Sequence, residues 1–269
     1  MKLSFTTMAT PGYPLADTLK LAKDNNYSGV DLRISENRGE LNVSSPDSDI
    51  YAVKGAFKEN GTEISSLLCY IKLGKPNDPS SWQAMEDSIV ENMEVAGKLE
   101  CKYIRIFGPA PAKFPNPDDC LKQTAETITK ALKRGAGPVS VLMQNHANDC
   151  NAGECVQLAD MIADSRFGLV FSPDSCVSVH EDPEKAVPLV IPYAKQLYVA
   201  DGLFEGEKFK HVTPGKGIIS FKNIYAALGG ENFEGYVTFK WEKIWVPDLD
   251  EAEIALPFFA NNIKNILGL

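Results

Sequence analysis

The sequence predicts an α/β protein, with residues 1–269 forming a single closed (β/α)8 barrel. Eight apolar, strand-like runs alternate with helical patterns, and no Pro/Ser/Gly-rich tract or charge block separates two domains. Strict alternation of this kind favours a parallel sheet surrounded by helices. A doubly wound open sheet is the alternative. It would need about two fewer strands, and no Gly-x-Gly-x-x-Gly or Walker-type loop supports it.

The predicted strands are short apolar runs, each followed by a turn or a helical pattern. They are Leu3–Thr7, Gly29–Ile34, Ile64–Tyr70, Tyr103–Phe107, Val139–Gln144, Gly168–Ser172, Gln196–Val199 and Tyr236–Lys240. Between them, apolar residues recur at helical spacing, as Leu15, Leu19 and Ala22 do. Ser80 or Ser81 is the predicted N-cap of the helix after the third strand.

Composition limits the classes of partner. The net charge is −9, from 27 basic and 36 acidic residues, and the basic residues form no run, so a nucleic-acid partner is not expected. No apolar stretch is long enough to cross a membrane, and the N-terminus lacks a signal-peptide core. Six cysteines without a Cys-x-x-Cys pair indicate free thiols in a cytoplasmic protein. A small-molecule ligand is therefore expected, while the oligomeric state stays open.

Polar residues follow most predicted strands, and in a barrel these strand ends surround the active-site mouth. The candidate substrate-binding residues there are Arg33, Arg105, Gln144, His146, Ser172, Asp174, Asp201 and Glu242, with Lys240 and Tyr198 as catalytic candidates. The two arginines could clamp a carboxylate or pair with acidic neighbours. Lys216, between two glycines, could bind an anion or belong to an ordinary turn.

The order of several segments resembles the xylose-isomerase-like TIM barrel family of sugar isomerases, epimerases and related metal-dependent lyases. These segments include "NYSGVDLR", "KYIRIFG", "QNH", "AKQLYVADG", "TPGKGIISFKNIYAAL" and "EGYVTFKWEKIW", and they span nearly the whole chain. The resemblance implies a divalent metal held by Glu, Asp, His and Glu. The matching places here hold Gln144, Ser172, Tyr198 and Lys240, so the local charge changes from −3 to +1.

These four residues predict that the family's metal is absent and that no cofactor is bound. An ammonium about 4 Å from a divalent ion costs roughly 8 kcal/mol at an effective dielectric of about 20. Lys240 would replace the ion and act as a base, an electrophilic partner or a Schiff-base amine, with Tyr198 as proton donor. Alternatively, Lys240 only pairs with Glu242, Asp174 or Asp201 and holds the mouth together.

Three functional hypotheses remain open. The first is a metal-independent enzyme acting on a small polyol, keto sugar or hydroxy acid. The second is a non-catalytic protein that binds such a ligand. The third is a divergent metal-dependent isomerase or lyase with the shifted ligands His146, Asp174 and Glu242, each two residues beyond a lost ligand position. The nucleic-acid-processing branch of the family is not expected, because its His-rich metal cluster and basic face are missing.

Overall fold

The computed structural model describes residues 1–36, 39–135, 137–147 and 149–269. Within them, eight parallel strands close into a barrel in the order β1-β10-β7-β6-β5-β4-β3-β2, so the predicted (β/α)8 fold is confirmed. The barrel strands are β1 (Lys2–Thr6), β2 (Gly29–Ile34), β3 (Glu63–Cys69), β4 (Tyr103–Phe107), β5 (Ser140–Gln144), β6 (Phe167–Phe171), β7 (Ala194–Val199) and β10 (Tyr236–Phe239). Six of the eight predicted ranges are displaced by one or two residues at an end.

The helices lie in the connections between these strands, and the last one follows the eighth barrel strand. They are α1 (Leu15–Asp24), α2 (Asp47–Asn60), α3 (Pro79–Lys98), α4 (Pro117–Arg134), α5 (Ala152–Ile162), α6 (Pro173–Ser178), α7 (Pro183–Val190), α8 (Phe221–Ala227) and α9 (Ala252–Leu267). Helix α3 begins at Pro79, and the Asp78 carboxylate accepts a hydrogen bond from the backbone of Ser81 at 3.2 Å. Asp78, and not Ser80 or Ser81, is therefore the N-cap, since its carboxylate satisfies a free N–H of the first turn.

One antiparallel hairpin interrupts the alternation and was not predicted. It consists of β8 (Asp201–Glu205) and β9 (Lys208–Val212), and it follows β7 at the C-terminal end of the barrel. Its turn contains Gly206 at a φ of +61°, a conformation that glycine adopts without strain. The hairpin therefore adds residues to the mouth that a simple strand–helix repeat would not supply.

The apolar residues form two separate cores, as a filled barrel requires. The larger core lies between the strands and the helices. The smaller one fills the barrel interior and contains Met8, Leu68, Leu142, Val170 and Tyr198. The interior is thus packed and leaves chemistry to the strand ends.

A buried polar network surrounds Asp31 inside the barrel. Its carboxylate accepts hydrogen bonds from Ser65 Oγ at 2.5 Å, from Gln196 Nε2 at 2.8 and 2.9 Å, and from Tyr198 OH at 2.9 Å. Burial raises the pKa of Asp31 above its usual range, although these hydrogen bonds partly lower it. The network joins β2, β3 and β7 beneath the mouth.

Candidate functional site

Lys240 lies at the centre of the mouth, one residue beyond the end of β10. Its Nζ is 2.7 Å from Asp174 Oδ2 and 2.9 Å from Glu242 Oε1. Lys240 is 5% exposed and Asp174 is 4% exposed. Asp174 reaches this position because Pro173 begins α6 directly after β6. The two carboxylates therefore hold one buried ammonium between them.

The charges of this triad stabilise one another. Burial would lower the pKa of Lys240, but Asp174 and Glu242 raise it well above its ordinary value. Burial would raise the pKa of each carboxyl, but the Lys240 charge lowers both below their usual range. Lys240 is therefore a fixed ammonium near neutral pH and is not available as a base or as an amine nucleophile in this state.

The end of β5 supports the triad through hydrogen bonds. Gln144 Nε2 donates to Ser172 Oγ at 3.4 Å, and Ser172 Oγ donates to Asp174 Oδ1 at 2.7 Å. Asn145 was not a candidate, yet it fixes the end of β6: its Oδ1 accepts from Ser172 N at 2.8 Å and its Nδ2 donates to Ser172 O at 2.9 Å. The run of polar residues after β5 was the signal that could have identified Asn145.

Tyr198 lies two residues below the level of Lys240, because Thr238 is its partner on β10. Its hydroxyl donates to Asp31 at 2.9 Å, and the side chain is fully buried. Burial and the Asp31 charge raise its pKa well above the ordinary value. A chain of hydrogen bonds thus connects Gln144 and Ser172 to Lys240 through Asp174. The Tyr198 hydroxyl instead belongs to the interior network around Asp31.

Two buried arginines lie at the same end of the barrel. The Cζ atoms of Arg33 and Arg105 lie 5.5 and 5.4 Å from the centroid of the Tyr70 ring. Arg105 Cζ is also 4.3 Å from the centroid of Phe107, and Arg33 Cζ is 5.6 Å from that of Trp245. These cation–π contacts stabilise the guanidinium groups.

His146 lies at the rim, away from the triad's carboxylates. Its Nδ1 is 2.8 Å from Asp149 Oδ2, and its ring centroid is 4.5 Å from that of Phe107. Of the proposed shifted metal ligands, the structure therefore brings Asp174 and Glu242 together on Lys240 and pairs His146 with a different carboxylate.

His211 faces the triad from the hairpin. Its charge is one of the influences that lower the pKa of Asp174 and Glu242, after burial and Lys240. His211 stands opposite Gly202 in the β8–β9 pair. From the sequence, His211 precedes the "TPGKG" loop and could belong to the site or not; the hairpin was not predicted, although "FEGEKFKHV" alternates around a turn as a hairpin does.

Asp201 and Lys216 have other contacts. The Asp201 carboxylate accepts hydrogen bonds from the backbone N–H groups of Gly202, Gly215 and Gly217 at 2.9 Å and of Ile219 at 3.3 Å. It therefore organises the loop between β9 and α8. The exposed Lys216 Nζ lies 5.7 Å from the ring centroid of Phe258 on α9.

The four residues at which the resemblance implies metal ligands do not fit a divalent ion. Gln144, Ser172 and Tyr198 supply an amide and two hydroxyl groups, and Lys240 supplies a cation that already neutralises the nearest carboxylates. Among the described residues, no group of three or more His, Cys, Asp or Glu side chains is arranged to hold a metal ion. Divalent ions prefer anionic oxygen donors and imidazole, so no chemical step is assigned to a metal here.

The sequence matches a known family over most of its length. Residues 19–261 match the family model described as "Xylose isomerase-like TIM barrel". The chain belongs to this family.

No helix among the described residues is both long and apolar enough to cross a membrane.

Individual relatives are distant. A probable endonuclease 4 of Campylobacter concisus (strain 13826) is 27% identical over 139 residues, which is 48% of this chain and 48% of that protein. Among solved structures, the IOLI protein with a binding zinc atom has a TM-score of 0.80 at 14% identity, covering 100% of this chain and 98% of that one. D-Psicose 3-epimerase with D-tagatose from Clostridium cellulolyticum H10 has a TM-score of 0.78 at 14% identity, covering 99% of both chains. These structural likenesses establish the fold alone, and the chain spans about half the length of the curated relative.

Proposed function

We propose that this protein acts on a small polyol, keto sugar or hydroxy acid at the C-terminal mouth of its barrel without a divalent metal. The observation that carries the proposal is the Lys240 ammonium, which lies between Asp174 and Glu242 at a family ligand position. The net charge of −9 favours a small molecule over a nucleic acid. All six cysteines are free, which is typical of a cytoplasmic protein.

Lys240 has three N–H donors, of which Asp174 and Glu242 take two, and the third is proposed to donate to a substrate oxygen. Sugar isomerisation and epimerisation develop negative charge on a substrate oxygen when a proton leaves the neighbouring carbon. A preorganised ammonium in a water-poor site stabilises that charge without reorganisation. Because the pKa of Lys240 is raised, its role is electrostatic, and the proton must move to another group. His211, on the hairpin that follows β7, is a candidate for that transfer in its neutral form.

A second candidate function is ligand binding without turnover. It is favoured by the hydroxyl of Tyr198, which donates to Asp31, and by the two carboxylates that hold Lys240 protonated. Neither catalytic candidate is then a free acid or base in the ligand-free protein. Such a protein would keep the pocket of the family and lose its reaction.

A metabolite screen separates the candidates. Wild type and Lys240→Met are first compared by thermal shift against polyols, keto sugars and hydroxy acids, and every compound that stabilises the wild type is then followed by NMR for turnover. Turnover that Lys240→Met loses supports the enzyme, and binding without turnover supports the second candidate. Stoichiometric metal in the purified wild type, measured by elemental analysis, would contradict the metal-free proposal.

A further inference from the structure

The two arginines of the mouth are buried without an ionic partner. Arg33 is 3% exposed and Arg105 is 1% exposed. In the described part of the chain, Arg33 Nε and the Nε and Nη1 atoms of Arg105 lack a hydrogen-bond acceptor, and neither guanidinium pairs with a carboxylate. A buried charge is costly unless it is paired and hydrogen-bonded. Two such groups in one mouth indicate that a partner is missing.

The neighbouring acids do not meet this need. Glu40 is close enough to Arg33 for the guanidinium charge to lower its pKa, but burial has the larger effect and raises that pKa to about 6. Asp31 reaches Arg105 only through Tyr198, whose hydroxyl donates to the carboxylate at 2.9 Å. Among the described residues, neither guanidinium group thus forms an ion pair with a carboxylate, and Glu40 acts on Arg33 only through its more distant charge.

Tyr70 separates the two arginines from solvent. Tyr70 is 37% exposed and lies against both guanidinium groups. Its hydroxyl donates to the sulfur of Met8 at 3.9 Å, and a thioether is a weak acceptor. When this ring turns towards solvent, it gives up that weak hydrogen bond and its ring contacts with the two guanidinium groups and Phe107, and it exposes the donors of Arg33 and Arg105 to a ligand.

From this geometry we infer that Arg33 and Arg105 form a clamp for the carboxylate of an anionic ligand, with Tyr70 as its cover. Guanidinium groups donate charge-assisted hydrogen bonds to carboxylates, and the unpartnered Nε atoms of both arginines and Nη1 of Arg105 supply such donors. This inference rests on the proposed function and narrows its ligands to hydroxy acids and sugar acids. Neutral polyols and keto sugars lack the group that the clamp recognises.

The test compares acids with their neutral counterparts. Thermal unfolding of the wild type is measured with D-glycerate, D-gluconate and tartrate, and with glycerol, sorbitol and threitol, at constant ionic strength. At least one acid is expected to raise the unfolding midpoint by about 5 °C near 100 times its Kd, while its neutral counterpart does not. Inorganic phosphate is a further arm, and a response to phosphate without any response to the acids would overturn the carboxylate assignment.

Variants locate the effect. Arg33→Met and Arg105→Met should weaken acid binding about 10–100-fold, because each variant loses a charged hydrogen bond. Without ligand, these variants should unfold at no lower temperature than the wild type, because a buried unpaired charge has been removed. Arg33→Lys and Arg105→Lys should also bind the acids weakly, since an ammonium lacks the planar, multiple N–H donors of a guanidinium group. These lysine variants test the clamp if a methionine variant does not fold. Arg134→Met, at an exposed ion pair on α4, should bind as the wild type does.

Three outcomes would overturn the clamp: equal stabilisation by acids and neutral counterparts, no stabilisation by any of these acids, or arginine variants that bind acids as the wild type does. The clamp and the proposed function fail separately. Binding of neutral compounds in a way that depends on Lys240 would refute the clamp alone, whereas stoichiometric metal in the wild type would refute the metal-free site alone.

Discussion

The Lys240 ammonium lies 2.7 Å from the Asp174 carboxylate, and both side chains are almost completely buried. Glu242 completes the triad at 2.9 Å. For a buried ion pair, the desolvation penalty is about as large as the attraction between the two charges. The triad is therefore better explained by a role in the function of the mouth than by a contribution to stability. Removing one of its members should still lower the free energy of unfolding.

Lys240→Met should lower the free energy of unfolding by about 3–5 kcal/mol at pH 7, because Asp174 and Glu242 are left buried without their cation. The lowered pKa values of the carboxyls make their contribution complete above about pH 4 and lost as pH falls further. The raised pKa of Lys240 makes its contribution complete below about pH 10 and lost as pH rises through the folded value. Urea unfolding at pH 7 and pH 3 should show the difference shrinking in acid.

Lys98→Met is the matched control for this prediction. Lys98 Nζ is also 2.7 Å from a carboxylate, that of Asp47, but both side chains are exposed. An exposed pair contributes about 0–1 kcal/mol. Equal losses in Lys98→Met and Lys240→Met would mean that the triad is not the buried, coupled unit described above.

Asp201→Ala should loosen the loop between β9 and α8, because the carboxylate accepts four backbone hydrogen bonds from the 202–219 segment. Hydrogen bonds to a charged group are worth more than neutral ones, so a loss of about 3 kcal/mol is expected. Urea unfolding gives the magnitude, and hydrogen exchange at Gly215 and Gly217 should quicken. Asp248→Ala, at an exposed residue, is the control. If it lowers the free energy of unfolding as much as Asp201→Ala does, the hydrogen bonds of Asp201 to the loop are not the cause.

Glu40→Gln should stabilise the protein at pH 8. Burial raises the pKa of Glu40 from 4.5 to about 6, so folding favours the protonated form and the ionised form carries a penalty above pH 6. The shift corresponds to about 2 kcal/mol, and this gain should fade as pH falls to about 4. Urea unfolding from pH 4 to pH 8 is the measurement, with the exposed Glu207→Gln as control. A gain that does not depend on pH would contradict this explanation.

The barrel was predictable because each of its strands is an apolar run that recurs at a regular interval. The β8–β9 hairpin was not, since its strands have few buried side chains and so lack the apolar pattern that marks the barrel strands. The role of His211 therefore stayed open. Capping at Asp78 was missed because the carboxylate and the serines after it are all acceptable N-caps.

The candidate site was predictable by type of residue but not by partner. Strand ends identified Lys240, Asp174 and Glu242, and one of the stated alternatives was that Lys240 pairs with them. The sequence did not show that Tyr198 points down to Asp31, because that contact depends on how far each strand is shifted along its neighbour. Nor could it show that Arg33 and Arg105 lack a carboxylate partner, which depends on the whole barrel closing.

The central claim, that Lys240 has replaced the metal of this family, is tested most directly by calorimetric titration with Mn²⁺. The wild type and Lys240→Glu are compared with the fourfold variant Gln144→Glu, Ser172→Asp, Tyr198→His and Lys240→Glu, which supplies three carboxylates and an imidazole. We expect no binding by the wild type, little by Lys240→Glu and clear binding by the fourfold variant. Tight binding of Mn²⁺ by the wild type would contradict the claim and favour the ligand set His146, Asp174 and Glu242.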